Sequence, residues 1–298
     1  MNGSIDSDIN NINNNINNNI NNNINNNSTH SFTFNPGDTP LLVSMPHSGL
    51  LLTPAVAHGL TTKAQKLPDT DWHIPQLYNF LAPLGVGCIQ ANYSRYVIDL
   101  NRPVNDKPLY QTKTTGLFPE VLFDESDIFQ ESKRPTSAHK KYAKKYIWQA
   151  YHTQIKQELA RLKAKFGYAI LFDAHSIAPK VPMLFEGTLP DFNWGNNAGL
   201  SCDCALLQAL ENTIAPHYTQ VSNGRFKGGY ITRHFGQPQQ GIHAIQLELS
   251  QATYLNDLQA THNNYQLDAN KLPIIKQQLK AIIQACLLVV PSLAAKIP

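Results

Sequence analysis

Two histidines and a glutamate, far apart in this 298-residue chain, stand at the ends of apolar runs. Leu41-Leu42-Val43-Ser44-Met45 leads into Pro46-His47-Ser48-Gly49, and Tyr168-Ala169-Ile170-Leu171-Phe172 leads into Asp173-Ala174-His175-Ser176. The run from His243 to Leu249 carries Glu248 near its far end. Neutral imidazole and carboxylate oxygen are zinc ligands, and hydrolytic zinc sites keep one position open for water. His47, His175 and one aspartate would hold such an ion, bringing a bound water toward a pKa of about 7. Glu248 beside that water would take its proton and hand it to a leaving nitrogen. An arginine near the carbonyl would stabilise the oxyanion. One histidine at a strand end is ordinarily structural; three such ends on one chain point to metal-dependent hydrolysis.

The elements that must position these residues read as an α/β domain. The runs at Leu41–Met45, Tyr168–Phe172 and His243–Leu249 suit strands buried on both faces of a parallel or mixed sheet. In such sheets ligands bind at the carboxyl ends of the strands. Val86–Tyr93 reads as a further core strand, and folded structure is expected from near Phe32. Asp69, Thr70 or Asp71 is placed to cap a helix running to Leu81, a role that competes with metal ligation for both carboxylates. Arg95 and Arg102 flank an apolar stretch, where a guanidinium fork binds a carboxylate; each could instead pair with an internal acid such as Asp99.

Asn105 to Arg134 reads as an irregular loop of the length used for lids and specificity elements. Thr136 to Phe166 is predicted as a bent or split helix ending at Gly167, with Tyr142, Ile147, Ile155, Leu159 and Leu162 facing inward as a crossover between strands. After the second strand end comes a loop with a short strand at Met183–Phe185, then a helix capped by Ser201 or Asp203. Gly228 to Gly236 is either a close approach to a ligand or a hairpin, and a last helix spans about Asp268 to Val290.

Composition narrows the class. Residues 1–30 are Asn-rich with isoleucines three or four apart and read as a disordered tail, leaving 31–298 as one metal-dependent amidohydrolase domain. A formal charge of +3 gives no reason to expect nucleic acid as a partner. Four scattered cysteines suit a reduced, cytoplasmic protein rather than a disulfide framework. No transmembrane-length apolar segment or signal peptide is read, so no membrane partner is expected. A homo-oligomer is left open.

Seven segments then occur in an order that resembles the N-formylglutamate amidohydrolase family: Pro46–Gly49, Asp69–His73, Ser94–Pro103, Asp173–Ile177, Leu189–Asn193, Gly229–His234 and Gln246–Leu249. The resemblance runs from about Thr39 to at least Tyr254. It implies a three-layer α/β fold of the phosphorylase/hydrolase-like, zinc carboxypeptidase-like kind: a mixed, mostly parallel central sheet with helices on both faces. It also implies one divalent metal, zinc, held by His47, His175 and Asp71, with Asp69 as competitor for the third place. The glutamate expected three residues after the first histidine is Leu50 here, so the carboxylate must come from elsewhere.

By the same resemblance Glu248 is the general base and Asn101-Arg102 the pair that holds a substrate carboxylate. The implied reaction is hydrolysis of N-formyl-L-glutamate to formate and L-glutamate, the closing step of a histidine degradation route. For this small dianionic substrate, Arg95, Arg102 and Arg233 are the candidates for two carboxylates and the oxyanion. A related hydrolase of another N-acyl amino acid or peptide is the alternative, favoured by Met183 where the family more often carries arginine. A third reading is a non-catalytic domain that binds metal or small acids. No G-x-S-x-G elbow suggests a serine hydrolase.

Overall fold

A computed structural model describes residues 31–109, 113–257 and 265–294; the Asn-rich segment and part of the 105–134 loop lie outside them. Seven strands make one sheet: β1 (Phe32–Asn35), β2 (Leu41–Met45), β3 (Gly87–Ala91), β4 (Ala169–Ile177), β5 (Phe192–Gly195), β6 (Gln220–Ser222) and β7 (Ile242–Ser250). Their spatial order is β1-β3-β2-β4-β7-β5-β6. The central pairs β3/β2, β2/β4 and β4/β7 are parallel, as is β5/β6, while β1/β3 and β5/β7 are antiparallel. The sheet is therefore mixed and mostly parallel.

Helices cover both faces, as burial of a parallel sheet on two sides requires. One core joins Leu41, Val43, Ile170 and Phe172 to the helices α2 (Ile74–Leu77), α5 (Cys204–Glu211) and α7 (Lys271–Ala294). The other joins Leu42, Ile89, Leu171 and Ala244 to α4 (Gln149–Phe166) and α6 (Tyr230–Phe235). A short helix α1 (Pro54–Gly59) follows β2, and α3 (Ser137–Ala143) leads into α4.

Several local expectations are corrected. Asp173 and His175 do not lie past the end of a strand: β4 continues through them because β7 pairs with it along nine residues, from Ala169↔Ile242 to Ile177↔Ser250. Asp69–Asp71 cap nothing, since α2 begins only after His73, which holds a left-handed φ of 60°. The helix expected to be bent or split is interrupted by a π turn at Lys144–Trp148, and only its inward stripe differs. That extra residue per turn rotates the stripe, so Tyr142 is half-exposed while Ala143, Ile147 and Tyr151 are buried. The strand after β4 is Phe192–Gly195 and not Met183–Phe185. Residues 230–235 are a helix rather than a hairpin. Asp203 does cap α5, accepting from the Ala205 N–H at 2.8 Å.

The stretch Lys271–Val289 of α7 is long and apolar enough to cross a membrane by length and composition, which the sequence reading did not anticipate. One face of it packs in the core, where Ile275, Leu279, Ile282, Ile283 and Cys286 are fully buried, while Ile274 and Leu288 are exposed.

The turn after β2 is fixed by close backbone packing. Leu51 N–H donates to Asn92 O and Ser94 N–H to Leu51 O, each at 2.8 Å, tying this turn to the segment after β3. A Cβ at Gly49 would lie 2.3 Å from the Tyr93 carbonyl oxygen, so only glycine fits two residues beyond His47. Gly49→Ala is expected to cost about 1–3 kcal/mol, the range for overpacking a rigid site. Chemical denaturation of the variant checks this; an unchanged midpoint would show that the turn relaxes freely.

Candidate active site

The sheet brings His47, Asp71 and His175 together although 128 residues separate the two histidines along the chain. His47 follows β2, Asp71 lies in the loop before α2, and His175 is on β4, the neighbour of β2. The Asp71 N–H donates to His47 O at 3.1 Å, holding the loop against the strand exit. One nitrogen or oxygen from each side chain lies within 4.8 Å of the other two, and all three residues are buried. Asp71 Oδ2 is 3.0 Å from His175 Nδ1 and 3.8 Å from His47 Nδ1. Asp69, the competitor, points elsewhere: its carboxylate accepts from the Phe123 N–H at 3.2 and 3.3 Å. Burial pushes the Asp69 carboxyl up to about 6.

The outer nitrogens of both rings meet carboxylates. His47 Nε2 is 2.7 Å from Asp99 Oδ1, and His175 Nε2 is 3.0 Å from Asp173 Oδ2. This is the arrangement in which an imidazole donates outward from Nε2 and turns its Nδ1 lone pair inward to a metal. Two imidazole nitrogens, each on a ring oriented by a buried acid, and a carboxylate oxygen fit a divalent cation of the zinc type.

The supporting acids are themselves held. Asp99 Oδ2 accepts from Arg95 Nη2 at 2.7 Å, and Oδ1 from the Asn101 N–H at 2.9 Å. Burial alone would raise the Asp99 carboxyl, but the charges of His47 and Arg95 outweigh it and hold it well below the usual range. Asp173 accepts from Ser44 Oγ at 3.0 Å and from Asn101 Nδ2 at 3.2 Å. Asn101 Oδ1 in turn accepts from the Ile231 N–H at 2.8 Å. The Asn101 amide thus joins α6 to the floor of the site, a role not legible from its position beside Arg102. Gly229 leaves room for it, since a Cβ there would be 2.3 Å from Asn101 Nδ2.

Glu248 sits on β7 directly opposite His175 in the β4/β7 register. It lines a cavity with His47, His175, Arg95, Asn101 and Arg102. Burial pushes its carboxyl up to about 8, only partly offset by His175. Arg95 is almost fully buried and lies 5.0 Å from the Phe123 ring centroid. Arg233, by contrast, is not among the residues lining this cavity; its Nε donates to Gly228 O at 2.8 Å. Arg225, which the sequence did not single out, does line it. No motif marks it beyond an arginine set between Gly224 and Gly228 and followed by Phe226.

With this geometry in place, comparison with known proteins is decisive. Residues 39–255 match the model of a family described as N-formylglutamate amidohydrolase. The chain belongs to the N-formylglutamate amidohydrolase family. It is 56% identical over 227 residues to an N-formylglutamate deformylase of Pseudomonas aeruginosa, covering 76% of this chain and 85% of that protein. It is 49% identical over 253 residues to an N-formylglutamate deformylase of Pseudomonas putida, covering 84% and 95%. Its fold is similar to a solved N-formylglutamate amidohydrolase of Ralstonia eutropha JMP134, with a TM-score of 0.74 at 18% identity over 90% of this chain and 99% of that one. An Agrobacterium tumefaciens protein shares the fold with a TM-score of 0.65 at 15% identity, covering 86% and 94%. The α/β architecture expected for the family, a mixed sheet between helical layers, is the one observed.

In this family member the charge balance around His175 has a measurable consequence. Burial would lower the His175 pKa, but Asp173 and Asp71 on either side outweigh it and hold the ring protonated well above its ordinary value. A cation taking Nδ1 must therefore displace a proton. Apparent metal affinity is expected to rise by about tenfold per pH unit on going from pH 6 to 7. Titration of the metal-depleted protein with zinc in competition with a chelator checks this, and pH-independent affinity over that interval would contradict it.

Proposed function

We propose that this enzyme hydrolyses N-formyl-L-glutamate to formate and L-glutamate. The observation that carries the reading is the buried His47, Asp71 and His175 group with Glu248 beside it in a cavity lined by arginines. The two Pseudomonas relatives named as N-formylglutamate deformylases support it. His47 and His175, through Nδ1, and Asp71 would hold one divalent ion, zinc. When bound, that ion supplies Lewis acidity and lowers the pKa of water.

The chain's own residues perform the rest. Glu248 takes a proton from the attacking water and later delivers it to the amide nitrogen as the C–N bond breaks and a C–O bond remains on formate. Burial raises the proton affinity of this carboxyl and suits it to hold that proton between the two steps, while a divalent cation beside it would favour the ionised form that takes the proton. Arg95, fixed by Asp99, faces the oxygen on which negative charge develops. Arg102, with Asn101 beside it, receives a substrate carboxylate; Arg233, outside the cavity lining, is not assigned one.

The reaction serves as the last step of a histidine degradation route in the cytoplasm. Four free cysteines suit such a reducing compartment. The substrate is a small dianion; neither nucleic acid nor a membrane is expected as a partner.

A second reading, a hydrolase of larger N-acyl amino acids or peptides, is favoured by one observation. A neighbouring cavity lined by Lys63, Asp69, Val181 and Tyr265 shares Phe123, Ser176 and Ile177 with the first, giving room for a longer acyl group. Rates on formyl, acetyl and peptidyl glutamate separate the two, with formyl expected to be preferred. Glu248→Gln is expected to lower kcat by about 10²–10⁴-fold while metal content stays unchanged. Formate release at the parental rate would remove Glu248 from the mechanism.

A further inference from the structure

Resting on the deformylase reading, we infer that Phe123 is a specificity-determining residue whose ring closes the acyl side of the reaction cavity and so restricts the acyl group to formyl.

The reaction cavity encloses about 50 Å³ and its neighbour about 220 Å³. Phe123, Ser176 and Ile177 line both. Ser176 and Ile177 are buried residues of β4, locked by pairing with Leu249 and Ser250 of β7. Phe123 is the part-buried member of the three and comes from the 105–134 loop. The boundary between a tight chamber and a roomy one is therefore made of fixed strand residues and one aromatic side chain.

That side chain is set against the reacting centre. Arg95 Cζ lies 5.0 Å from the centroid of the Phe123 ring, within the range of a cation–π contact. Asp69 serves both partners. Its carbonyl oxygen accepts from Arg95 Nη1 at 3.4 Å, and its carboxylate accepts from the Phe123 N–H at 3.2 and 3.3 Å. One buried residue thus fixes the guanidinium and the ring relative to each other. The loop is also braced on itself: Val121 bridges Asp127, the Leu122 N–H donates to Ser126 O at 2.8 Å, and the Ile128 N–H donates to Glu120 O at 3.0 Å.

The order of groups along the substrate follows. Arg95 faces the carbonyl oxygen of the amide, so the acyl carbon bonded to that oxygen lies beside the ring that covers Arg95. In a formyl group this carbon carries hydrogen. In an acetyl or longer group it carries carbon, which meets the ring before it can reach the larger cavity. One methylene more or less in an apolar pocket changes kcat/KM by roughly 10- to 200-fold. Beyond Phe123 the larger cavity is lined by Leu122, Val181 and Pro182 together with Lys63 and Lys180, and this is the space a longer acyl chain would take once the ring is removed.

The test compares the metal-loaded parent with Phe123→Ala and Phe123→Leu on N-formyl-, N-acetyl- and N-butyryl-L-glutamate. Affinities for the same three compounds are measured by calorimetry in a metal-loaded Glu248→Gln background, with and without the Phe123 substitutions. Phe123→Ala is expected to raise the acetyl-to-formyl ratio of kcat/KM by roughly 10- to 200-fold. The butyryl-to-formyl ratio rises further, because the longer chain reaches the second cavity, and the binding ratios shift in the same direction. Phe123→Leu, which keeps an apolar contact and loses the ring, gives a smaller rise. An unaltered ratio in a variant that holds zinc as the parent does, or loss of fold in both variants, would overturn the assignment. If the parent releases no formate, the deformylase reading fails. A binding preference for formyl over acetyl that Phe123→Ala abolishes then still supports the role of Phe123, and equal affinities in the parent, or no binding, overturn it.

Discussion

Negative charge buried without enough positive charge beside it is the constraint on which this structure turns. Asp71, Asp99, Asp173 and Glu248 all lie within the core or at its edge and are at most 7% exposed. Isolated ionised carboxylates do not survive there; they are paired, protonated or bound to a cation. Arg95 compensates Asp99, and burial drives Glu248 toward its neutral form. Asp71 and Asp173 are left on either side of His175, which without a metal must hold a proton to balance them. A divalent ion in place of that proton would answer the deficit more fully.

The sheet makes this concentration of acids achievable. Asp173 and His175 face Gln246 and Glu248 across the β4/β7 register, and Ser44 at the end of β2 donates to Asp173. Parallel pairing aligns the carboxyl ends of β2, β4 and β7, so residues distant in sequence meet on one side of the sheet. The loops then close over it: Asp71 from the segment before α2, and Asp99 and Asn101 from the segment after β3. Each supporting side chain is anchored by more than one element, which is how ring orientation is kept within the narrow tolerance that metal ligation and proton transfer demand.

Much of this was legible in the sequence because the strands that carry His47, His175 and Glu248 are apolar on both faces and so stand out from their surroundings. The third member of the buried group was harder. Asp69 and Asp71 have the same chemistry and lie two residues apart, and only the course of the loop sends one to the imidazoles and the other to the Phe123 N–H. Where β4 ends was misread for a related reason: polar residues ordinarily mark a strand exit, but here pairing with β7 carries the strand through them. The π turn that turns Tyr142 outward leaves no period in the sequence, and Arg225 lies in a loop whose approach to the cavity is set by tertiary contacts with Leu184 and Lys113.

Anomalous diffraction from crystals of the protein loaded with zinc, collected on either side of the zinc absorption edge, tests the central claim most directly. The account predicts one anomalous peak per chain, about 2.0–2.2 Å from His47 Nδ1, His175 Nδ1 and an Asp71 oxygen, with both Nε2 atoms still on Asp99 and Asp173. A peak bound by the Nε2 atoms instead, or none within reach of the two imidazoles, would contradict it.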